Sequence, residues 1–396
     1  MSILAAVWLT YETWRFHQAP AKITGSMNKN GPVDLSCRFV ETNAWFRRQP
    51  VYTEIKTAVY PPASYALLWP LLGNLSWPWA RTLWYALSIG GLFWLSRQLI
   101  EHSLARSRLQ RTFIGMMPFA SYAAGAAIGN GQTIPLLLPV LLFSVIRVAR
   151  STPDPGHRLW LESAGVLWTL VQPTITAPFF WIVLLRPNQR RHAIAIAASY
   201  LVLTLFAISF QMEHFTRKTE STSNVAFVQR WTVKASGGAA IGSARGGYGS
   251  LHDLLYLLGV ERRAFFFVSL LVLLAFGLWI HRHRQVDLWL LMGITSLMAR
   301  FWTYHRWYDD LLLMLPLVTL FRMTQLPQHD DRTRKIAFRL FMIVWIFSLA
   351  PGVLYTLPSL PILVYIQVTA WLATLGFLAH LAHRERQASR MPNAAT

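Results

Sequence analysis

Apolar residues gather into about twelve blocks along the chain, at 3–14, 79–99, 112–128, 133–146, 159–171, 175–185, 193–210, 265–280, 288–302, 311–320, 336–355 and 360–382. The longer blocks, at about 16–22 residues, match the hydrocarbon core of a bilayer crossed as helix. A soluble protein of this length would alternate polar and apolar positions at helical spacing instead. Two long stretches between blocks, 15–78 and 211–264, interrupt the pattern. The expectation is an all-α polytopic membrane protein, a single integral domain over 1–396. It would have about 12 transmembrane helices and two large outer loops, the first carrying interfacial helices. The first block is short and has no basic flank, so the true start is expected upstream or that helix is incomplete. A cleavable signal peptide fits less well, for want of a basic n-region and a clear small-residue cleavage site.

Charge orients this arrangement. Lys and Arg number 37 against 17 Asp and Glu, a net +20. That balance would suit a nucleic-acid partner, but its distribution argues against one. The basic residues cluster in every second loop: Arg106, Arg108 and Arg111; Arg147, Arg150 and Arg158; Arg186, Arg190 and Arg191; Arg282 and Arg284; Arg332, Arg334 and Lys335; Arg384 and Arg386. The positive-inside rule places these loops, and both termini, in the cytoplasm of an inner (plasma) membrane protein. Segment 60–75 is apolar enough to span, yet counting it would invert every later loop. Pro61, Pro62, Pro70 and Pro78 also interrupt it. It is predicted to lie along the outer leaflet, with Tyr65, Trp69 and Trp77 at headgroup depth. The lone cysteine, Cys37, excludes an internal disulfide.

The opposite loops collect the residues with chemistry. Asp34 stands in the first of them, followed by Asn130-Gly131-Gln132, Gln172-Pro173 and Tyr304-His305-Arg306-Trp307-Tyr308. One positioned carboxylate can take the proton of an attacking hydroxyl, and Asp34 is the candidate. Cations must meet charge growing on a leaving phosphate; Arg47, Arg48, His305 and Arg306 are candidates. Glu41, seven residues after Asp34, is read as a second carboxylate on a solvated or acceptor-binding face. Each has a plainer reading. Asp34 suits a solvated loop acid, Asn130-Gly131-Gln132 a helix cap, and His305 an aromatic interfacial belt. Asp309 and Asp310 suit a helix N-terminus or a metal. The outer basic residues, among them Lys56, Arg217, Lys218, Lys234, Arg262 and Arg263, suit anionic headgroups as well as a lipid phosphate. The Gly/Ser/Ala-rich stretch 237–249 reads as a loop, since no strand precedes it to make a phosphate-binding loop.

In their order on one face, these elements resemble the polyprenyl-phosphate-sugar-dependent glycosyltransferases of the GT-C superfamily, and glycosyltransferase family 87 in particular, which includes mycobacterial mannosyltransferases. The likeness rests on Asp34, Tyr52, Tyr60-Pro61-Pro62, Asn130-Gly131-Gln132, His305, Tyr308 and the leucine-rich run 311–316. It implies inverting transfer of a hexose, mannose by resemblance, from a polyprenyl-phosphate donor to a lipid-linked or cell-envelope glycan at the outer face. Asp34 would be the base. Arg47, Arg48, His305, Arg306 and Tyr60 would surround the donor phosphate; Glu41, Tyr52, Asn130, Gln132, Gln172, Tyr304 and Tyr308 would contact substrate. No cofactor is required, and no ligand cluster demands a divalent metal, although one is compatible with the chemistry. The chain departs from the family at Gln172-Pro173, where Lys-Pro is common, at 247–251, where Asn-Gln-Ser is reduced, and at Arg38-Phe39, where an aromatic pair is usual. The alternative is a transporter or flippase of lipid-linked saccharides, expected to carry broken helices near the midplane.

Overall fold

The computed structural model describes residues 3–18, 31–55, 57–150, 158–212, 249–352 and 361–389. Lys56, Arg217, Lys218, Lys234, Arg245 and most of 237–249 lie outside them. Among the described residues the regular structure is helical, apart from one bridge between Ser121 and Leu349. The first half comprises α1 (Ile3–His17), α2 (Val33–Phe46), α3 (Val51–Glu54), α4 (Pro62–Leu72), α5 (Trp77–His102), α6 (Arg108–Ala120) and α7 (Tyr122–Asn130). After them come α8 (Ile134–Arg150), α9 (Arg158–Thr169), α10 (Pro173–Leu185), α11 (Arg190–Ser209), α12 (Leu251–Leu257) and α13 (Arg262–His283). The remainder is α14 (Leu288–Phe301), a 3₁₀ helix (Trp307–Leu313), α15 (Met314–Gln325), α16 (Asp331–Ser348) and α17 (Pro361–Ala388).

Local sequence explains the breaks. The apolar block 112–128 becomes two helices because Ser121 takes extended backbone and its side chain caps Ala124 N–H. Pro118, inside α6, cannot donate to the ladder there. Helix α7 ends where Gly131 turns left-handed, and α8 leaves at 117° to it. Long, apolar helices number three among the described residues: 190–209, 263–283 and 362–388. The bent α7–α8 pair makes a fourth if taken as one span, and α10 and α14 are apolar but shorter. Twelve full-length spans are therefore not what length and composition alone deliver.

Burial shows why several blocks are short. Helices α7, α8, α14 and α15 have buried residues nearly all round, so protein rather than lipid surrounds them. Helices α11, α13 and α17 instead expose Leu201, Val202, Leu205, Phe267, Leu271, Leu278, Ile362 and Leu372. Apolar side chains exposed along whole helices fit a hydrocarbon solvent, as expected of a membrane protein.

Helix α4 corrects the outer-leaflet expectation in part. Its 11 residues reach only about 16 Å, too short to span. Yet Tyr65 is not at a lipid surface: it is fully buried and stacked on Trp45 at 4.7 Å. Trp69 and Trp77 are half-buried against Phe46 and Phe39, at 4.4 and 5.3 Å. Helix α4 is thus a floor beneath α2. Trp45 Nε1 donates to Ala207 O and Gln211 Nε2 to Trp45 O, both at 2.8 Å, which ties α2 to α11 as well.

Candidate functional site

Asp34, Arg38 and Glu41 lie at i, i+4 and i+7 on α2, so one helix face presents all three. Arg38 is the centre of that row. It pairs with Glu41 at 2.6 Å, donates to Thr57 O at 3.1 Å and lies over the Tyr60 ring at 4.3 Å. Burial works against its cation, and Glu41 above all, with Tyr60 and Tyr65, holds it charged. Glu41 is completely buried and also accepts from Thr57 Oγ1 at 2.8 Å and from the Tyr65 hydroxyl at 3.4 Å. The solvated or acceptor-binding face expected for Glu41 is therefore corrected. Both of its oxygens are engaged by the fold, through Arg38, Thr57 and Tyr65.

Asp34 differs. It is half-buried, and the side-chain amide of Gln132 donates to its carboxylate. Burial raises its carboxyl above the ordinary range, against the pull of Arg38, Arg306 and the Gln132 bond; Asp309 adds to the rise. The result is a carboxylate in a protein-lined recess, more basic than a solvated aspartate and held in place by a neutral donor.

The Asn130-Gly131-Gln132 motif divides its labour. Asn130 caps α7 through Ala126 O at 2.9 Å and accepts from Arg15 of α1 at 3.2 Å, so it braces the turn. At Gly131 φ is +68°, and an added Cβ would meet Leu35 Cβ at 2.5 Å. That close approach seats the start of α2 on the end of α7 and puts Gln132 within reach of Asp34. Thr133 donates to Gln172 Oε1, so Gln172 supports the same turn while Pro173 begins α10. Gly131→Ala should destabilise the fold by at least about 1–2 kcal/mol from the left-handed backbone alone, while Gly90→Ala, on an exposed helix face with nothing within 4 Å, should be neutral or mildly stabilising. Melting of the purified variants in one detergent distinguishes the two.

The 3₁₀ helix closes the other side. Arg306 is half-buried; burial opposes its charge, and Tyr308, Tyr304 and Asp34 outweigh that opposition. Its Nε donates to the Tyr304 hydroxyl, and the ring lies 5.8 Å from the guanidinium carbon. Tyr308 is buried behind them. His305 is 1% exposed: Nδ1 meets Asp309 Oδ2 at 3.1 Å, and Nε2 has no hydrogen-bond partner among the described residues. The same Asp309 oxygen accepts from Arg306 N at 3.1 Å, so one carboxylate sets both residues. His252 of α12 reaches the region through Thr303 at 3.4 Å and Ser269 at 2.8 Å; burial and the neighbouring His305 push it down to about 4. Asp310 is engaged elsewhere, by Arg300, Tyr122 and, through Tyr122, Gln367. No group of three or more His, Cys, Asp or Glu among the described residues has metal-binding geometry.

Other expected residues fall away from this recess. Arg47 and Arg48 are exposed beyond the far end of α2, about 20 Å along its axis from Asp34. Tyr52 is buried, and its hydroxyl donates to Tyr60 O at 2.5 Å; it positions Tyr60. Unforeseen from the sequence were Arg38, Thr57, Thr133, His252 and the role of Asp309. The i, i+4 spacing of Asp34 and Arg38 was the available signal for the first.

The family model for Glycosyltransferase family 87 matches residues 58–303. The match takes in Tyr60, Gln132 and Gln172; Asp34, outside it, is bonded to Gln132, and Arg306, also outside it, acts on Asp34 through its charge. No curated protein and no solved structure matches the chain.

Proposed function

Since the chain belongs to glycosyltransferase family 87, a family of GT-C type, we propose that it moves a hexose, by resemblance mannose, from a polyprenyl-phosphate donor to a lipid-linked or cell-envelope glycan. The observation that carries this reading is the half-buried Asp34 carboxylate, fixed by Gln132 and under the charges of Arg38 and Arg306. In the proposed step the acceptor hydroxyl oxygen attacks the anomeric carbon and its proton passes to Asp34. The bond from that carbon to the lipid-phosphate oxygen breaks, and the phosphate leaves with the electron pair. Attack opposite the leaving group inverts the configuration, which needs one carboxylate, whereas a retaining double displacement would need two about 5–5.5 Å apart. Glu41 is no candidate for the second, being locked to Arg38.

Arg306 is the cation we assign to the phosphate. Its terminal nitrogens make no hydrogen bond to a described residue, while Arg38 is occupied by Glu41 and Thr57. We place the recess on the outer face of a plasma membrane, with both termini cytoplasmic and the short apolar helices counted among about twelve crossings. The alternating basic loops support that placement. A carrier of lipid-linked saccharides is the second reading, and the 117° break between α7 and α8 favours it, because carriers bind at broken helices. Purified protein in lipid, given a panel of labelled polyprenyl-phosphate sugars with extracted envelope lipids, separates the two. The enzyme gives a labelled glycan and free polyprenyl phosphate, and the carrier returns the donor intact.

A further inference from the structure

We propose that the end of the helix bundle away from Asp34 holds a second site, which binds a phosphate-bearing anion. A cavity of about 1120 Å³ lies there, walled by helix ends. His102 closes α5, Arg150 closes α8, Arg186 follows α10, Arg322 stands in the last turn of α15, and Arg384 lies near the end of α17. Three of these helices begin beside the Asp34 recess: α8 just after Gln132, α10 at Gln172, and α15 behind the 3₁₀ helix. With 17 residues, α8 alone separates the two regions by about 25 Å. The site is thus distinct from the transfer site and does not depend on the reaction assigned to it.

Cations at helix C-termini need no ligand in general, since the helix dipole favours them there, and Glu101, Asp287, Asp330 and Glu385 share this wall. The pairing is nonetheless incomplete. Arg322 reaches Asp287, and Arg384 reaches Asp330, only at 4.0 Å. One Glu385 oxygen accepts from Asp287 N at 2.9 Å. Arg322 donates to His102 O at 2.5 Å, but its Nε is buried with no acceptor among the described residues. The Arg186 guanidinium makes no hydrogen bond or close ion pair with a described residue, although the charge of Asp287 acts on it, and its Nη1 is buried with no acceptor among the described residues. Buried polar groups rarely go unmatched. Two guanidinium groups lining one cavity, each with its hydrogen bonding incomplete, suit a ligand with several acceptor oxygens in fixed geometry, and phosphate meets that demand. Basic pockets between membrane helices take phospholipid headgroups in this way.

The test uses the full chain in neutral detergent, with phosphatidylglycerol, phosphatidylcholine and inorganic phosphate as probes. Wild type should bind phosphatidylglycerol in preference to phosphatidylcholine. Arg186→Gln should weaken that binding at least about tenfold, the loss expected for one charge-assisted contact. Arg190→Gln, an exposed cation four residues on, should leave it unchanged. Competition by inorganic phosphate, lost in Arg186→Gln, identifies a free phosphate as sufficient; phosphatidylglycerol binding without such competition identifies the lipid headgroup. Either result supports the site. Equal binding of the two lipids with no phosphate binding overturns it on wild type alone. Equal weakening by Arg190→Gln overturns it too, because general surface charge would then explain the affinity.

Discussion

Asp34→Asn should lower transfer about 10²–10⁴-fold, the usual contribution of a positioned general base, while folding and donor binding stay close to wild type. The amide keeps the size of the carboxylate and can still meet Gln132 by turning its carbonyl oxygen to the donor. What it loses is the site for the proton. Glu41→Gln gives the contrasting outcome. Breaking a buried ion pair by changing one partner costs about 3–5 kcal/mol, and Glu41 is completely buried against Arg38. That variant should lose stability first, with the turnover of the folded fraction far less affected than in Asp34→Asn. Thermal melts and transfer assays on the same preparations separate the two. Near-normal transfer by a folded Asp34→Asn protein would remove Asp34 from the role of base.

Arg306→Gln should weaken donor binding about tenfold to a hundredfold, as expected when a charge-assisted contact to phosphate is removed. Turnover should fall further, by about 10²–10³-fold, because the charge on the phosphate grows as the sugar leaves. Arg47→Ala and Arg48→Ala should bind donor as wild type does, since both side chains are exposed at the far end of α2. Donor-binding isotherms in nanodiscs, read beside turnover, check all three. Loss of donor affinity in Arg47→Ala or Arg48→Ala with Arg306→Gln unaffected would move the phosphate to the other end of that helix.

Much of the helix pattern is legible in the residues, because apolar blocks and their proline and glycine stops are local signals. The block at 193–210 becomes α11 at Arg190–Ser209, and that at 288–302 becomes α14 at Leu288–Phe301. Depth is not legible in the same way. Blocks such as 133–146 and 311–320 are apolar because protein surrounds them, and hydropathy does not separate a buried helix from one in lipid. Tyr65 illustrates the limit, since its stacking on Trp45 depends on a contact between α2 and α4 that no local pattern encodes. In the recess, the carboxylate at Asp34 and the glycine turn at 130–132 stand out singly. Their meeting, across 98 positions of chain, is tertiary. Arg38 reads as a departure from the family's aromatic pair until Tyr60 is seen beneath it. Arg47 and Arg48 attract notice through their charge, but α2 carries them away from the site.

The most direct test of Asp34 as the base is the pH dependence of kcat/KM for sugar transfer. A base acts only when ionised, so activity must fall as pH drops through its pKa. Burial raises that pKa in the folded protein, so the acid limb should lie above the value of about 3.9 for an ordinary aspartate. Wild type should show this raised limb, and the residual activity of Asp34→Asn should be flat across the same interval. An acid limb unchanged in Asp34→Asn would contradict the account, because another group would then be accepting the proton.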